Sequence, residues 1–308
     1  MDDPLMNYPD FLIIGAAKSG TTTLYKYLLE HPQVYMSTPK EPVIFSVDRN
    51  YSIGMAFYSS LFEAAQPGQI CGEASTTYSR LQQYPHTVER MHQALPQVKL
   101  IYIMRHPVER AYSFYVHRYK GWRYNPELAA SRGELVEDTF EKTIAQQPEF
   151  IDSGYYLYQI EQYLKCYPRE SFLFFLMEDL IQNPFETTQK IFDFIGVDPA
   201  QSLNQDREIV ANKAGDHPEH VLKRELTKPL KSIPGVSVIS KMVPQGVKDA
   251  AYQTLKQLKY TDWKTDNAQY YQPPSMLDET RHILLEKYHE SNQKLAEFLQ
   301  RDLSHWSQ

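Results

Sequence analysis

Short apolar runs alternate with amphipathic segments along the chain as far as residue 198. A short apolar run bounded by turn residues predicts a strand, and apolar residues three and four apart predict a helix. The predicted strands are 11–14, 34–36, 69–72 and 98–104, and the predicted helices are 22–30, 57–66, 86–94 and one that starts near Val108. Strands that alternate with helices indicate an α/β fold with a mostly parallel central sheet.

The pattern is weaker beyond residue 198. Residues 201–250 mix charged residues with prolines and glycines, which predicts an irregular segment with a short helix at 217–227. A long irregular segment is more often functional than idle, so 201–250 is a candidate lid over an acceptor. A helical piece is predicted at 252–260, and an amphipathic helix at 278–300 is expected to pack on the sheet. No repeat or change in composition marks a second domain, so residues 1–308 are predicted to form one domain with its core at 9–198.

The segment between the first predicted strand and the first predicted helix has the parts of an anion-binding loop. Gly15 and Gly20 permit tight turns, Lys18 supplies a cation, and the hydroxyls of residues 21–23 lie at the start of a helix. Phosphate is the expected anion. A Walker A loop requires its lysine directly after the second glycine, whereas Thr21 follows Gly20 here. Lys18 is therefore expected to contact the ligand nearer the entry of the loop.

A second candidate anion site follows the predicted strand 98–104. That strand ends at Arg105, and Pro107 is a natural helix opener. Arg110, Ser113 and His117 share one face of the helix by their spacing. Arg105 with a hydroxyl eight residues later predicts a second anion site. Two such sites favour a nucleotide with separated 5′ and 3′ phosphates over a triphosphate. A triphosphate normally binds with Mg²⁺, which is held by an Asp at the end of such a strand, whereas this strand ends at an arginine.

Two carboxylates are candidates for a catalytic role because of their positions in the sequence. Glu41 lies in the segment Pro39-Lys40-Glu41-Pro42, where the prolines limit backbone freedom. Glu73 follows directly at the end of the third predicted strand, at the edge where parallel sheets bind their ligands. The ordinary alternative for either residue is a solvated or capping carboxylate.

Composition narrows the classes of function. The 308 residues include 38 acidic and 32 basic side chains, a net charge of −6 that disfavours a nucleic-acid binder or a protein that grips anionic polymers. The 23 tyrosines are expected in packing, with some available for a ring-lined acceptor pocket. Cys71 and Cys166 lack the spacing of a metal site or disulfide framework. No apolar run is long enough to cross a bilayer and no leader pattern is present, so a cytoplasmic protein is expected.

Several motifs in order resemble one family. KSGTTTL after a strand, then HPQV, KEPVIFS, GEASTTY and RHPVERAYSFYVH are similar to the sulfotransferases that use 3′-phosphoadenosine 5′-phosphosulfate (PAPS), especially the branch with bacterial enzymes and heparan-sulfate sulfotransferase domains. The stretch from SGYYLYQIEQYLKCYP to FDFIGV resembles the same branch, and the likeness covers about residues 9–198. It implies a P-loop-like, nucleotide-kinase-like fold, PAPS as donor, adenosine 3′,5′-bisphosphate (PAP) as product and no metal.

The resemblance also implies roles for individual residues. The 5′-phosphosulfate loop corresponds to Lys18, Ser19, Gly20, Thr21, Thr22 and Thr23, and within it Lys18 matches the lysine at the departing bridge oxygen. Arg105 and Ser113 match the pair that binds the 3′-phosphate, with the family's spacing of eight.

On the acceptor side, the resemblance aligns Glu41 with the catalytic base of the heparan-sulfate enzymes. Those enzymes carry a Glu-Lys pair where this chain has Glu73-Ala74, so Glu73 is the alternative base and His117 a third candidate. Lys213, in the candidate lid, is a further candidate phosphate contact, its alternative being an ordinary solvated lysine.

The sequence therefore predicts a PAPS-dependent sulfotransferase that acts on a hydroxyl or amine. The acidic composition favours a small-molecule acceptor, and bacterial relatives on this pattern that sulfate guanidinium alkaloids suggest a natural-product tailoring role. A polysaccharide acceptor is the alternative within the family. Outside it, the alternatives are a nucleotide kinase or NTPase with a degenerate P-loop and a non-catalytic nucleotide-binding module.

Overall fold

Five parallel strands form the central sheet of the computed structural model, which describes residues 7–201 and 272–308. The strands are β1 (Phe11–Gly15), β2 (Val34–Met36), β3 (Ile70–Ala74), β4 (Lys99–Met104) and β5 (Phe172–Leu176). They lie in the order β2-β3-β1-β4-β5, and every neighbouring pair is parallel. The α/β prediction is confirmed, and four of the strands were predicted to within two residues of their observed ends.

The described helices connect and flank these strands. They are α1 (Thr21–Leu29), α2 (Asp48–Tyr51), α3 (Met55–Ser60), α4 (Thr87–Ala94), α5 (Pro107–Tyr124), α6 (Pro126–Ser131), α7 (Phe140–Gln146), α8 (Glu149–Asp152), α9 (Tyr156–Leu164), α10 (Met177–Gln182), α11 (Pro184–Ile195) and α12 (Asp278–Leu299). Short 3₁₀ turns lie at Thr76–Ser79, Arg169–Ser171, Pro199–Gln201 and Ser304–Ser307.

Both faces of the sheet are buried, as is usual for parallel sheets. Leu12 and Ile14 of β1 belong to one apolar core, whereas Phe11 and Ile13 belong to the other. The first core includes residues of α9 and α12, and the second includes residues of α1 and α11. Because both faces are covered, the strands read in the sequence as continuous apolar runs rather than as alternating patterns.

The predicted helix 57–66 is wrong in its extent. The helix α3 ends at Ser60, and the next residues form tight turns in which Phe62 N donates to Ser59 O at 2.9 Å and Ala65 N donates to Phe62 O at 3.1 Å. Pro67 follows this segment, and the residue before a proline avoids the α-helical region. The apolar periodicity that predicts a helix over 57–66 thus extends beyond the residues that are helical in the structure.

The helix α12 lies in the C-terminal segment, where the sequence predicts a helix at 278–300. Its Phe298 ring meets Phe174 of β5 with centroids 5.7 Å apart, and Tyr288 OH donates to Ile151 O at 2.6 Å. Just beyond the helix, Arg301 pairs with Asp179 of α10 through both terminal guanidinium nitrogens, Nη1 and Nη2.

The chain divides into two compact units. One comprises Met1–Tyr115, Glu137–Ala211 and Pro274–Gln308 and contains the whole described sheet; the other comprises Val116–Val136 and Asn212–Pro273. The candidate lid beyond Gln201, the helical pieces 217–227 and 252–260, and Lys213 lie outside the described residues, and the single-domain interpretation stays a prediction. None of the described helices combines the length and the apolar character that a membrane span requires.

Candidate functional site

The candidate residues converge at one edge of the sheet. β3, β1 and β4 are adjacent and parallel, so their carboxyl ends meet at the same edge. Backbone hydrogen bonds continue past the strands, from Ala16 N to Ile103 O at 2.7 Å and from Ser75 N to Ile13 O at 3.1 Å. The loops that follow the three strands therefore lie side by side, in the position where open parallel sheets bind ligands.

The loop between β1 and α1 is shaped by left-handed backbone conformations. Gly20 precedes the helix with a φ of 94°, and Lys18 has a φ of 70°. A Cβ at Gly15 would lie 2.0 Å from Ser79 Oγ, so this position requires glycine. No side chain caps α1, and its first turn carries no acid. The amides and the positive end of the helix dipole at this N-terminus are thus suited to an anionic ligand, and the loop fits a bound phosphate.

The side chains of this loop differ in their accessibility. Ser19 and Thr21 are buried, whereas Lys18, Thr22 and Thr23 are partly exposed. Of the predicted loop residues, Ser19 and Thr21 can therefore offer a ligand mainly their backbone groups. The cation and two hydroxyls remain accessible.

Arg105 connects the two predicted anion sites. Its Nη1 donates to Lys18 O at 3.3 Å, so the arginine that follows β4 contacts the loop that follows β1. Tyr156 OH donates to Arg105 O at 2.6 Å and accepts from Arg105 N at 3.4 Å, which fixes the backbone at this point. The structure thus brings Lys18 and Arg105 together from distant parts of the sequence. The supporting role of Tyr156 carried no signal in the sequence pattern.

The three polar residues predicted to share a face of α5 differ in their environments. Arg110 is fully buried and its Nη2 donates to Phe150 O, Ser113 is partly buried, and His117 is exposed. Among the described residues, no carboxylate lies within 4.0 Å of the Arg110 guanidinium. Ser113 thus has the accessibility that a phosphate contact needs, and Arg110 does not.

Glu41 lies beside the carboxyl end of β3 and reaches solvent. Its backbone N donates to Ala74 O at 3.0 Å, and its side chain is 39% exposed. Lys40 Nζ donates to its Oε1 at 2.8 Å, and Thr76 Oγ1 approaches the same oxygen at 3.5 Å. A substrate at this edge of the sheet could contact this carboxylate directly.

Glu73 is in the opposite environment. It is fully buried, and its oxygens accept hydrogen bonds from Tyr58 OH at 2.5 Å, from Tyr78 OH at 3.2 Å and from Ser75 Oγ. Burial raises the pKa of Glu73 to about 7, the three hydroxyls act against that rise, and the nearby charge of Glu41 adds to it. The sequence placed Glu73 at the strand end, but it gave no sign of this enclosing set of hydroxyls.

Eleven of the 19 tyrosines in the described ranges are buried. The buried tyrosines are Tyr25, Tyr27, Tyr58, Tyr78, Tyr102, Tyr115, Tyr119, Tyr156, Tyr163, Tyr167 and Tyr288. These rings serve packing, so they do not support a ring-lined acceptor pocket. In the described ranges, no cluster of His, Cys, Asp or Glu has the arrangement of a metal site, and both cysteines are free.

Comparisons with known proteins agree with the geometry. A family model described as "Sulfotransferase domain" matches residues 8–215. The human heparan sulfate glucosamine 3-O-sulfotransferase 6 is 32% identical over 193 residues, which are 62% of this chain and 53% of that protein. The mouse bifunctional heparan sulfate N-deacetylase/N-sulfotransferase 4 is 29% identical over 213 residues, 64% of this chain and 23% of that protein.

One solved structure is similar in sequence as well as in fold. It is a sulfotransferase from Alicyclobacillus acidocaldarius, with a TM-score of 0.52 and 26% identity over 72% of this chain and 91% of that chain. The first curated relative extends well beyond the match, because this chain spans about half of its length.

Proposed function

Because this chain belongs to the sulfotransferase domain family, we propose that it transfers a sulfuryl group from PAPS to a hydroxyl or amine of an acceptor. The observation that carries the proposal is the contact between Arg105 and the Lys18 backbone, which joins two cationic residues at the carboxyl edge of β1 and β4. A donor with phosphate groups at both ends needs cations in such an arrangement. The relatives named above act on oxygen in one case and on nitrogen in the other.

The residues present fit the nucleotide. The amides of the loop and of the α1 N-terminus, together with Lys18, Thr22 and Thr23, would hold the 5′-phosphosulfate, and Arg105 and Ser113 would hold the 3′-phosphate. The buried Ser19 and Thr21 would contribute backbone groups. Lys213 stays a candidate phosphate contact outside the described residues.

Sulfuryl transfer requires the protein to stabilise the leaving group and to remove a proton from the acceptor. PAPS, when bound, supplies a sulfuryl group whose bridge bond breaks with negative charge developing on the departing phosphate oxygen, in a loose transition state like that of phosphoryl transfer. Lys18 and the loop amides neutralise that charge, and no metal is required for this. Glu41 is the accessible carboxylate that would take the acceptor's proton, which typically contributes about 10²–10⁴-fold.

For the acceptor, we propose a small hydroxylated or amine-bearing molecule. The net charge of −6 supports this, because a sulfated or carboxylated polymer needs many cations along its path. A glycan acceptor, as named for the heparan sulfate relatives, is the alternative. Lys18 and Arg105 are already assigned to the nucleotide in this proposal, which leaves fewer cations for a polymer.

The test begins with nucleotide binding and ends with turnover. Calorimetry should show PAP binding without Mg²⁺, and PAPS should be consumed when the right member of an acceptor panel is added. Binding of ATP that depends on Mg²⁺ would instead support a kinase or NTPase. PAP binding with no turnover on any acceptor would support a non-catalytic nucleotide-binding module.

A further inference from the structure

The segment that carries Glu41 has a backbone conformation that requires external support. Glu41 has a φ of 60° and Val43 a φ of 48°, both in the left-handed region, where a β-branched residue is rare. Two of the hydrogen bonds that hold this segment come from the residues directly after Glu73. Ala74 O accepts from Glu41 N at 3.0 Å, and Ser75 Oγ accepts from Val43 N at 3.1 Å.

Ser75 connects this segment to the buried carboxylate. A serine hydroxyl has a single proton, and here it is donated to Glu73 Oε1. The lone pairs of the Ser75 oxygen are therefore left to accept from Val43 N. An ionised carboxylate can only accept hydrogen bonds, so Glu73 determines which way the Ser75 hydroxyl points.

Glu73 has no surface through which it could act on a substrate. It is fully buried, and its second oxygen is already shared by Tyr58 and Tyr78. A general base must come within hydrogen-bond reach of the proton it removes. We propose that Glu73 is a positioning residue, which acts through Ser75 to hold the left-handed turn at Val43 and thereby presents Glu41 to the acceptor. The inference rests on the proposed function for the role of Glu41.

Several other titratable groups interact with Glu73. They are Glu41, Tyr58, Tyr78 and Tyr163. Burial raises the pKa of all three tyrosines, which therefore remain neutral donors at neutral pH, whereas burial brings the pKa of Glu73 to about 7. A protonated Glu73 can itself donate to Ser75, which would release the orientation of that hydroxyl. The Val43 amide should consequently report the ionisation of Glu73.

The experiment follows the Val43 amide in the full chain. Nitrogen-15 valine labelling, with Val43→Ile to assign the signal, gives the amide shift from about pH 5 to 9. In the wild type it should titrate with a midpoint at about pH 7. Glu73→Gln and Ser75→Ala should each abolish this titration, and Ser75→Thr, which keeps the hydroxyl, should retain it. Glu41→Gln should also retain it.

One control amide and one additional measurement on Val43 make the result specific. The Val98 amide donates to Leu95 O at 3.3 Å, remote in sequence from Ser75, and its shift should stay constant over the same range. Hydrogen exchange at Val43 should be about tenfold faster in Ser75→Ala, as expected for the loss of one amide hydrogen bond.

Contrary outcomes are equally clear. A Val43 signal that is independent of pH in the wild type, or a titration that survives Glu73→Gln, would overturn the inference. So would a titration that disappears in Glu41→Gln, since the signal would then report Glu41 itself. The measurement uses neither nucleotide nor acceptor. Absence of PAP binding together with an intact Val43 titration would therefore count against the proposed function and not against the link from Glu73 to Val43.

Discussion

Lys18 lies between β1 and α1, in the loop that is proposed to hold the 5′-phosphosulfate. Lys18→Ala should lower turnover by about 10²–10³-fold, because one donor to a transition-state charge contributes on the order of 3–4 kcal/mol. PAP affinity should change far less, since that charge develops only as the bridge bond breaks. Steady-state PAPS consumption and calorimetry separate the two effects. Lys26→Ala, which removes an exposed lysine from the helix that follows the loop, is the matched control. A Lys18→Ala enzyme within a few-fold of wild-type turnover would remove this role.

Arg105 has a partner in the protein and a proposed partner in the nucleotide. Arg105→Ala should weaken PAP binding by about 10–100-fold, since a charged hydrogen-bonded contact contributes roughly 1.5–3 kcal/mol. Adenosine 5′-phosphate, which lacks the 3′-phosphate, should bind nearly as it does to the wild type. Calorimetry with both nucleotides measures the difference, and Arg49→Ala on α2 controls for the loss of a surface arginine. Equal losses for both nucleotides would mean that Arg105 serves only to hold the Lys18 carbonyl.

Glu41 and Glu73 are distinguished by accessibility. Glu41→Gln should abolish transfer and leave PAP affinity unchanged, because the amide keeps the shape but cannot accept the acceptor's proton. The pH–rate profile should lose the limb that reports the base in Glu41→Gln and should keep it in Glu73→Gln, whose turnover falls only in part. Should Glu73→Gln be the inactive variant and Glu41→Gln the mild one, the base would be Glu73 despite its burial.

At the scale of elements, the sequence predicts best where one physical cause dominates. β1 and β4 are covered on both faces, so their apolar runs identify them without ambiguity. The loop after β1 was also predictable, because its glycines and the start of the following helix can be read from the local sequence. In contrast, α3 ends six residues earlier than predicted.

The hydroxyls around Glu73 could not be predicted in this way. Tyr58 lies on α3 and Tyr78 in the 3₁₀ turn after β3, and they meet Glu73 only through tertiary packing. Tyr156 reaches the Arg105 backbone from 51 residues away in the sequence. A tyrosine that donates to a buried group has the same apolar periodicity as a tyrosine that only packs, so the pattern cannot separate the two roles.

The carboxylate at the end of β3 should also make stability depend on pH. The pKa of Glu73 is raised from 4.5 to about 7 in the fold, so between these values the folded state binds more protons than the unfolded state. The free energy of unfolding should therefore fall as pH rises through this window, by at most on the order of 3 kcal/mol from this group, and then level off. Denaturant unfolding at a series of pH values measures the slope. Glu73→Gln should lack this component, whereas Glu41→Gln should keep it, and identical slopes in wild type and Glu73→Gln would contradict the assignment.

At the scale of the whole molecule, the class of acceptor is inferred from the net charge of the chain. The chain has 38 acidic against 32 basic residues, whereas an enzyme that grips an anionic glycan must match many negative charges at once. The tyrosines that are buried in the described ranges give no support to an aromatic pocket, so the argument for a small acceptor is made here from charge. Charge makes a definite prediction about salt, because contacts between exposed charges are screened over roughly 8–10 Å at physiological ionic strength.

The last prediction therefore compares two classes of acceptor at the same ionic strength. Sulfate transfer from PAPS should be measurable with members of a small-metabolite library and weak with heparosan-like polymers. Added salt should change the small-acceptor rate little beyond its effect on nucleotide binding, because the acceptor itself carries few charges to screen. PAP affinity measured by calorimetry at each salt concentration provides the correction. Robust polymer sulfation that decreases as salt is added would overturn the prediction. Such a result would require a local cationic groove in a protein whose net charge is negative.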